Sequence, residues 1–138
     1  MVADGIGVER VDYIRVPVTD IDEANHFYGE LLGLRRSPNS PADDWVEYEA
    51  GNVTLAVMTP RTHDCEFSAL PPSTIAIRVA DVAAAKAKLE EAGLEEAGLE
   101  VADMWDSGAC NGAGVSDPSG NRILLHRRYA PYLDGTTP

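Results

Sequence analysis

The densest set of chemically capable side chains is His63-Asp64-Cys65-Glu66, four potential metal ligands in four consecutive residues. Neighbouring side chains in a proline-flanked segment seldom converge on one ion, which weighs against a metal site there. His126 ends a strand-like run, where it is placed to act as a general base, to touch a ligand, or simply to be held by a hydrogen bond. Cys110 shares a strand with Gly112 and Gly114. A nucleophilic thiol needs an activating base, and the sequence identifies none for it. Tyr13 and Trp45 are able either to stack on a planar ligand or to pack as ordinary aromatics. His26 falls on the solvent side of a helical pattern.

These residues sit on elements that occur twice. Val11 to Val18 reads as a strand, followed by a helix capped by Thr19 or Asp20, with Asp22 and Glu23 in its first turn. Ala24, Phe27, Tyr28, Leu31 and Leu32 share one helical face, and Gly33 is the natural stop. A short strand at Leu34–Ser37 and a hairpin of Trp45–Glu49 with Val53–Met58, turned at Gly51-Asn52, complete the first copy. The second copy repeats the order. Ser73–Val79 is its first strand, Asp81 caps a helix with the stripe Val82, Ala85, Leu89 and Ala92, and the last hairpin turns at Asp117-Pro118-Ser119-Gly120-Asn121. Module one is expected at about 8–59 and module two at about 73–130. The link 60–72 contains Pro60, Pro71 and Pro72 and has no periodicity. The second copy is longer, partly because Glu90-Glu91-Ala92-Gly93-Leu94 is repeated as Glu95-Glu96-Ala97-Gly98-Leu99. This duplication is expected to lengthen the helix end or its loop without touching the core.

At 138 residues the chain has the size of one domain. Its net charge of −12 argues against nucleic acid, whose binding needs clustered Lys and Arg. The acidity either attracts a cationic small molecule or serves solvation. No apolar run approaches the length of a membrane span. The start Met1-Val2-Ala3-Asp4-Gly5 lacks the basic and apolar parts of a secretory leader, so a cytoplasmic location is expected. Two cysteines, Cys65 and Cys110, are too few for a disulfide framework.

The runs Val11-Asp12-Tyr13-Ile14 through Val18-Thr19-Asp20, Phe27-Tyr28-Gly29-Glu30-Leu31-Leu32-Gly33-Leu34, and Asp117-Pro118-Ser119-Gly120-Asn121-Arg122-Ile123-Leu124-Leu125-His126 resemble the vicinal oxygen chelate superfamily. That superfamily includes glyoxalase I, bleomycin-resistance proteins and extradiol dioxygenases. The resemblance covers nearly the whole chain. It implies an α+β fold of two βαβββ modules forming a cupped eight-stranded mixed sheet, commonly dimerised. It also implies four inward positions that hold His or Glu ligands in metal-dependent members. Here they carry Tyr13, Ala56, Thr74 and Leu124. Ala and Leu offer no lone pair, and Thr and neutral Tyr are poor ligands for a divalent ion.

Strand alternation anchored at those positions turns Arg15, Met58, Arg78, Arg122 and His126 into the cup and leaves Ile14, Val16, Leu55, Val57, Ile75, Ile77, Ile123 and Leu125 to the cores. The expected ligand-binding set is therefore Tyr13, Arg15, Trp45, Met58, Arg78, Cys110, Arg122 and His126, lining one cavity per cup. The strand of Trp45 is able to face either way. No metal and no cofactor are expected. The expected function is a metal-independent, homodimeric binding protein resembling bleomycin-resistance proteins, sequestering a small aromatic or cationic compound such as an antibiotic. The alternative is a glyoxalase-like lyase or isomerase, or a dioxygenase.

Overall fold

In Tyr13-Ile14-Arg15-Val16-Pro17 every second side chain is apolar and core-facing, and the run forms strand β1 (Tyr13–Pro17) in a computed structural model that describes residues 5–40, 42–60, 65–95 and 97–138. It runs parallel to β4 (Thr54–Met58), which is antiparallel to β3 (Trp45–Glu49), itself antiparallel to the two-residue β2 (Arg35–Arg36). The second half repeats this order. β5 (Ile75–Arg78) is parallel to β8 (Arg122–Arg128), followed by β7 (Cys110–Ser116) and the short β6 (Trp105–Asp106). The strands thus divide into two four-stranded mixed sheets, β1-β4-β3-β2 and β5-β8-β7-β6, and the fold is α+β.

Asp20 opens α1 (Ile21–Asn25), its carboxylate accepting from the Glu23 amide at 3.0 Å. The expected continuous α-helix gives way at once to a π-helical segment, His26–Leu31, in which the Leu32 amide reaches back five residues to the Phe27 carbonyl at 2.9 Å. The wider turn advances less per residue, so the adjacent Phe27 and Tyr28 both stay on the buried side. Asp81 caps α2 (Val82–Glu91) in the same way, accepting from the Ala84 amide at 2.9 Å. Val82 and Leu89 are buried as the stripe requires, whereas Ala92 lies beyond the helix and is exposed. The duplicated glycines Gly93 and Gly98 adopt the same left-handed conformation, both at φ 82°. One expectation is corrected here: Leu94, in the first copy of the repeat, is buried in the core, so the duplication does touch it. Among the described residues no helix is long and apolar enough to cross a membrane.

Both halves feed one core. Val16, Tyr48, Leu55 and Val57 of the first sheet and Ile75, Val115, Ile123 and Leu125 of the second belong to a single apolar cluster, together with Phe27 and Tyr28 of the first helical element and Leu89 of α2. A polar knot fastens the halves across it. The fully buried Asp117, in the β7–β8 turn, accepts the Tyr28 hydroxyl at 2.7 Å and the Asn121 side-chain amide at 2.8 Å. Asn121 also donates to the Pro17 carbonyl at 2.6 Å and accepts from the Leu70 amide at 2.8 Å, so it joins the end of β1, the link and the second sheet. Thr19, just after β1, adds a bond from its amide to Ser119 Oγ at 2.9 Å.

Burial first, then the charge of Asp117 and the hydrogen bond to it, hold the Tyr28 hydroxyl well above its ordinary value of 10.0. The neutral phenol is the folded form, so its stabilising contribution is complete below about pH 10 and is lost as pH rises towards the raised value. Urea unfolding across pH 7–11 should show stability falling above about pH 10, and Tyr28→Phe should flatten that limb. At pH 7 Asn121→Ala should cost about 1–3 kcal/mol, because it strands buried polar partners. Parallel alkaline limbs for the parent and Tyr28→Phe would contradict this role for the phenol.

Candidate functional site

Pairing register decides which side chains share a face. On the first sheet the rows are Tyr13–Thr54–Glu49, Arg15–Ala56–Glu47 and Pro17–Met58–Trp45. All turn away from the core, whose side of the same strands holds Val16, Val46, Tyr48, Leu55 and Val57. Pairing with Met58 settles the direction of Trp45. Its ring meets Tyr13 edge-to-face, with centroids 5.7 Å apart and planes at 80°, and its indole N–H donates to the Glu47 carboxylate at 3.2 Å. The two rings come from diagonal corners and meet across the middle row, where Ala56 is fully buried. Met58, expected to line an open cavity, is also fully buried and forms floor instead. Arg15 and Tyr13 remain exposed.

On the second sheet the outward rows are Ala76–Leu124–Gly114, Arg78–His126–Gly112–Trp105 and Arg128–Cys110. Gly112 is required by its neighbours. A Cβ there would lie 2.6 Å from the Trp105 ring and 2.9 Å from the Leu125 carbonyl oxygen. With no side chain in the way, the indole lies across β7 towards His126, centroids 6.1 Å apart. Arg78 donates to the Tyr132 hydroxyl at 2.9 Å, Arg122 pairs with Glu100 at 3.1 Å, and Cys110 is half-buried at the start of β7. Tyr129 donates to Asp106 beside Trp105 at 2.6 Å, a bond that, ahead of one from the Gly108 amide, holds the Asp106 carboxyl below its usual range.

The eight residues expected to line one cavity therefore form two groups. Tyr13, Arg15, Trp45 and Met58 lie on the first sheet, and Arg78, Cys110, Arg122 and His126 on the second. Because the inner faces of both sheets share one core, the outer faces look away from it, and none of the five best-formed concavities among the described residues is lined by members of both groups. Trp105 and Arg128 were missed from the sequence. The signal for Trp105 was the Gly-x-Gly of β7, which leaves room for a large ring from the neighbouring strand. Arg128 simply continues the alternation of Arg122, Leu124 and His126.

The donor set at the four positions where relatives hold a metal does not fit a divalent ion. Ala56 and Leu124 have no donor atom, and the Thr74 hydroxyl donates to the Pro71 carbonyl at 2.8 Å. Among the described residues no three His, Cys, Asp or Glu side chains converge. Of the His63-Asp64-Cys65-Glu66 run, His63 and Asp64 lie outside the described residues, Glu66 is exposed, and the Cys65 thiol is turned to the Pro60 carbonyl at 3.6 Å. Both Cys65 and Cys110 are free thiols. His26 is on the solvent side, bonded to Glu30 at 2.6 Å.

The model of the Glyoxalase/Bleomycin resistance protein/Dioxygenase superfamily matches residues 10–125. Among solved structures the chain is similar to TnmS3, an antibiotic binding protein from Streptomyces sp. CB03234, at 24% identity over 90% of this chain and 99% of that one, with a TM-score of 0.71. A glyoxalase/bleomycin resistance protein from the same Streptomyces strain matches at 25% identity over 86% of this chain and all of that one, with a TM-score of 0.63. Lactoylglutathione lyase from Agrobacterium tumefaciens matches at 18% identity over 86% and 93%, TM-score 0.64, a likeness of fold. No curated protein matches the chain.

The contact at Gly112 yields a direct check. Gly112→Ala should lower stability by about 1–3 kcal/mol through overpacking against Trp105 and the β8 backbone. In a Trp45→Phe background, which leaves Trp105 as the single indole, it should also shift the fluorescence spectrum. An unshifted spectrum with parental stability would mean that Trp105 does not lie across β7.

Proposed function

Because the chain belongs to the Glyoxalase/Bleomycin resistance protein/Dioxygenase superfamily, we propose that it is a metal-independent binding protein for a small planar aromatic molecule. The molecule is held where the outer face of the first sheet of one chain meets that of the second sheet of another. The observation that carries this reading is the pair of outward aromatic groups, Tyr13 with Trp45 and Trp105 with His126, on surfaces whose inherited ligand positions carry Ala56 and Leu124. The surfaces keep what binds a flat organic molecule and lack the donors that fix a Lewis acid. The likeness to TnmS3, an antibiotic binding protein, is in keeping with a sequestering role.

The same geometry supports homodimer formation as part of this reading. β1 and β5 are edge strands, each with one unpaired row of backbone groups. Tyr13 on β1 and Trp105 on β6, at the far edge of the second sheet, are 52% and 42% exposed, high for large aromatics. Bringing β1 of one chain to β5 of another covers both edges and encloses both outward faces, and two-fold symmetry makes two such cups.

A thermal-shift panel of planar aromatic compounds tests the reading, with stabilisation by at least one class expected. For a compound so found, Trp45→Ala or Tyr13→Ala should weaken binding by about 1–3 kcal/mol without changing the circular dichroism spectrum. Light scattering at micromolar concentration should give twice the mass of one chain. Treatment with EDTA should leave the melting temperature unchanged. Stoichiometric zinc, nickel, iron or manganese in gently purified protein would overturn metal independence and favour the lyase or dioxygenase alternative.

A further inference from the structure

The second sheet's outward face already holds an aromatic ring bearing an oxygen, and the chain itself supplies it. Tyr132 lies in the segment after β8, with its hydroxyl accepting from Arg78 Nη2 at 2.9 Å and its ring 4.5 Å from the guanidinium carbon of Arg128. Arg128 is held in place by the carbonyls of Ala130 and Pro131, at 3.0 and 2.7 Å. Arg78 is in the same row as His126, Gly112 and Trp105, so the two arginines border the Trp105–His126 pair.

The segment that carries Tyr132 is lightly fastened. No residue of 129–138 is buried, and Leu133 is fully exposed. Its anchors are hydrogen bonds at or near the surface, among them the Tyr129 hydroxyl to Asp106 at 2.6 Å and Arg127 Nη2 to the Pro138 carbonyl at 3.1 Å. Both the Tyr129 and Ala130 amides donate to the Ala109 carbonyl, and the turn that presents Tyr132 is closed by Tyr132 N–H to Thr136 O at 2.8 Å and by Asp134 accepting from Thr136. Each bond is exchangeable with water, and an exposed cation–π contact is weak. The charge of the face is also distinctive. In a chain of net charge −12, Arg78, Arg122 and Arg128 share it with His126, and Arg122 already has Glu100 as a partner. Arg78 and Arg128 have a phenol instead of a carboxylate.

Resting on the binding function proposed above, we propose that Tyr132 is an internal occupant of an oxyanion subsite. Arg78 and Arg128 take the carboxylate or phenolate of a planar aromatic ligand whose ring lies towards Trp105 and His126, and binding displaces residues 129–138. The bound compound is then an aromatic acid, not the cationic compound that the overall charge would attract. A guanidinium fork fits such an anion better than it fits a neutral phenol. The strap lowers affinity in proportion to the time it is seated, and the two guanidinium groups make the site selective for ligands with an acidic group.

The probe is 2-naphthoate, with neutral, nearly isosteric 2-naphthamide as control, titrated calorimetrically into full-length parent, Tyr132→Ala, and Tyr132→Ala with Arg78→Gln. Removing Tyr132 should tighten naphthoate about tenfold, the change for an occupant seated about nine-tenths of the time. Adding Arg78→Gln should undo about a tenfold share of that affinity while leaving naphthamide unaffected, and Arg78→Lys should recover part of it. In the parent, saturating naphthoate should accelerate amide hydrogen exchange in residues 129–136. Equal naphthoate affinity in parent and Tyr132→Ala, or unchanged exchange at saturation, overturns the strap. Naphthamide binding as tightly as naphthoate overturns the oxyanion subsite while leaving the aromatic-binding function standing. Failure of both probes in every variant also overturns this assignment, and the binding function is then judged by the wider panel alone.

Discussion

The cluster of Tyr28, Asp117 and Asn121 is the constraint on which the arrangement rests. A buried carboxylate is tolerated only when its lone pairs are filled, and Asp117 fills them with a phenol from the first half of the chain and with an amide and backbone groups of its own turn. Asn121 satisfies both ends of its amide by reaching the last residue of β1 and the link. Neither side chain can be satisfied if the halves separate, so a polar geometry with few alternatives fixes what an apolar core alone would leave free to slide. The π-helical turn at His26–Leu31 belongs to the same solution, because it keeps Phe27 in the core while Tyr28 points its hydroxyl at the turn.

Once the halves are fixed core to core, the remaining faces of the sheets must look outward. That accounts for large aromatics left at the surface of the chain and for the gathering of arginine on faces of an acidic molecule. Only Lys86 and Lys88 among the basic residues are lysines, and both lie on α2, away from these faces. Arginine is the side chain suited to a planar anion or an aromatic plane, and it loses less than lysine when partly desolvated. The outer faces thus have the chemistry of an interior that a single chain does not close.

Much of this was legible before the structure. Period-two alternation assigned the core side of β1, β4, β5 and β8, since an apolar face that slips by one residue would expose Val16, Leu55 and Ile123 together. The capping aspartates and the Asp117–Asn121 turn were legible because their side chains act within a few residues of their own position. What escaped notice depends on contacts between distant segments. Trp105 sits in a two-residue strand with no periodicity to read, and its place is set by the missing side chain of Gly112. Leu94 enters the core from inside a repeat that looks like a surface insertion. The division of the expected site residues between two faces was not legible, because alternation gives the face of a strand and says nothing of how two sheets are turned relative to each other. Tyr132 lies beyond the last strand, where no pattern ties it to Arg78.

The central claim is that each binding site is shared between two chains, and co-expression of two defective chains tests it most directly. One chain carries Tyr13→Ala with Trp45→Ala, the other Arg78→Gln with Trp105→Ala, and each alone should form dimers that fail to bind a compound recovered from the aromatic panel. In the mixed dimer one cup combines the intact second sheet of the first chain with the intact first sheet of the other, while the second cup carries both defects. The account predicts that binding returns at one site per mixed dimer, with near-parental affinity. Mixed dimers that form but bind nothing would contradict it, because they would place each site within a single chain.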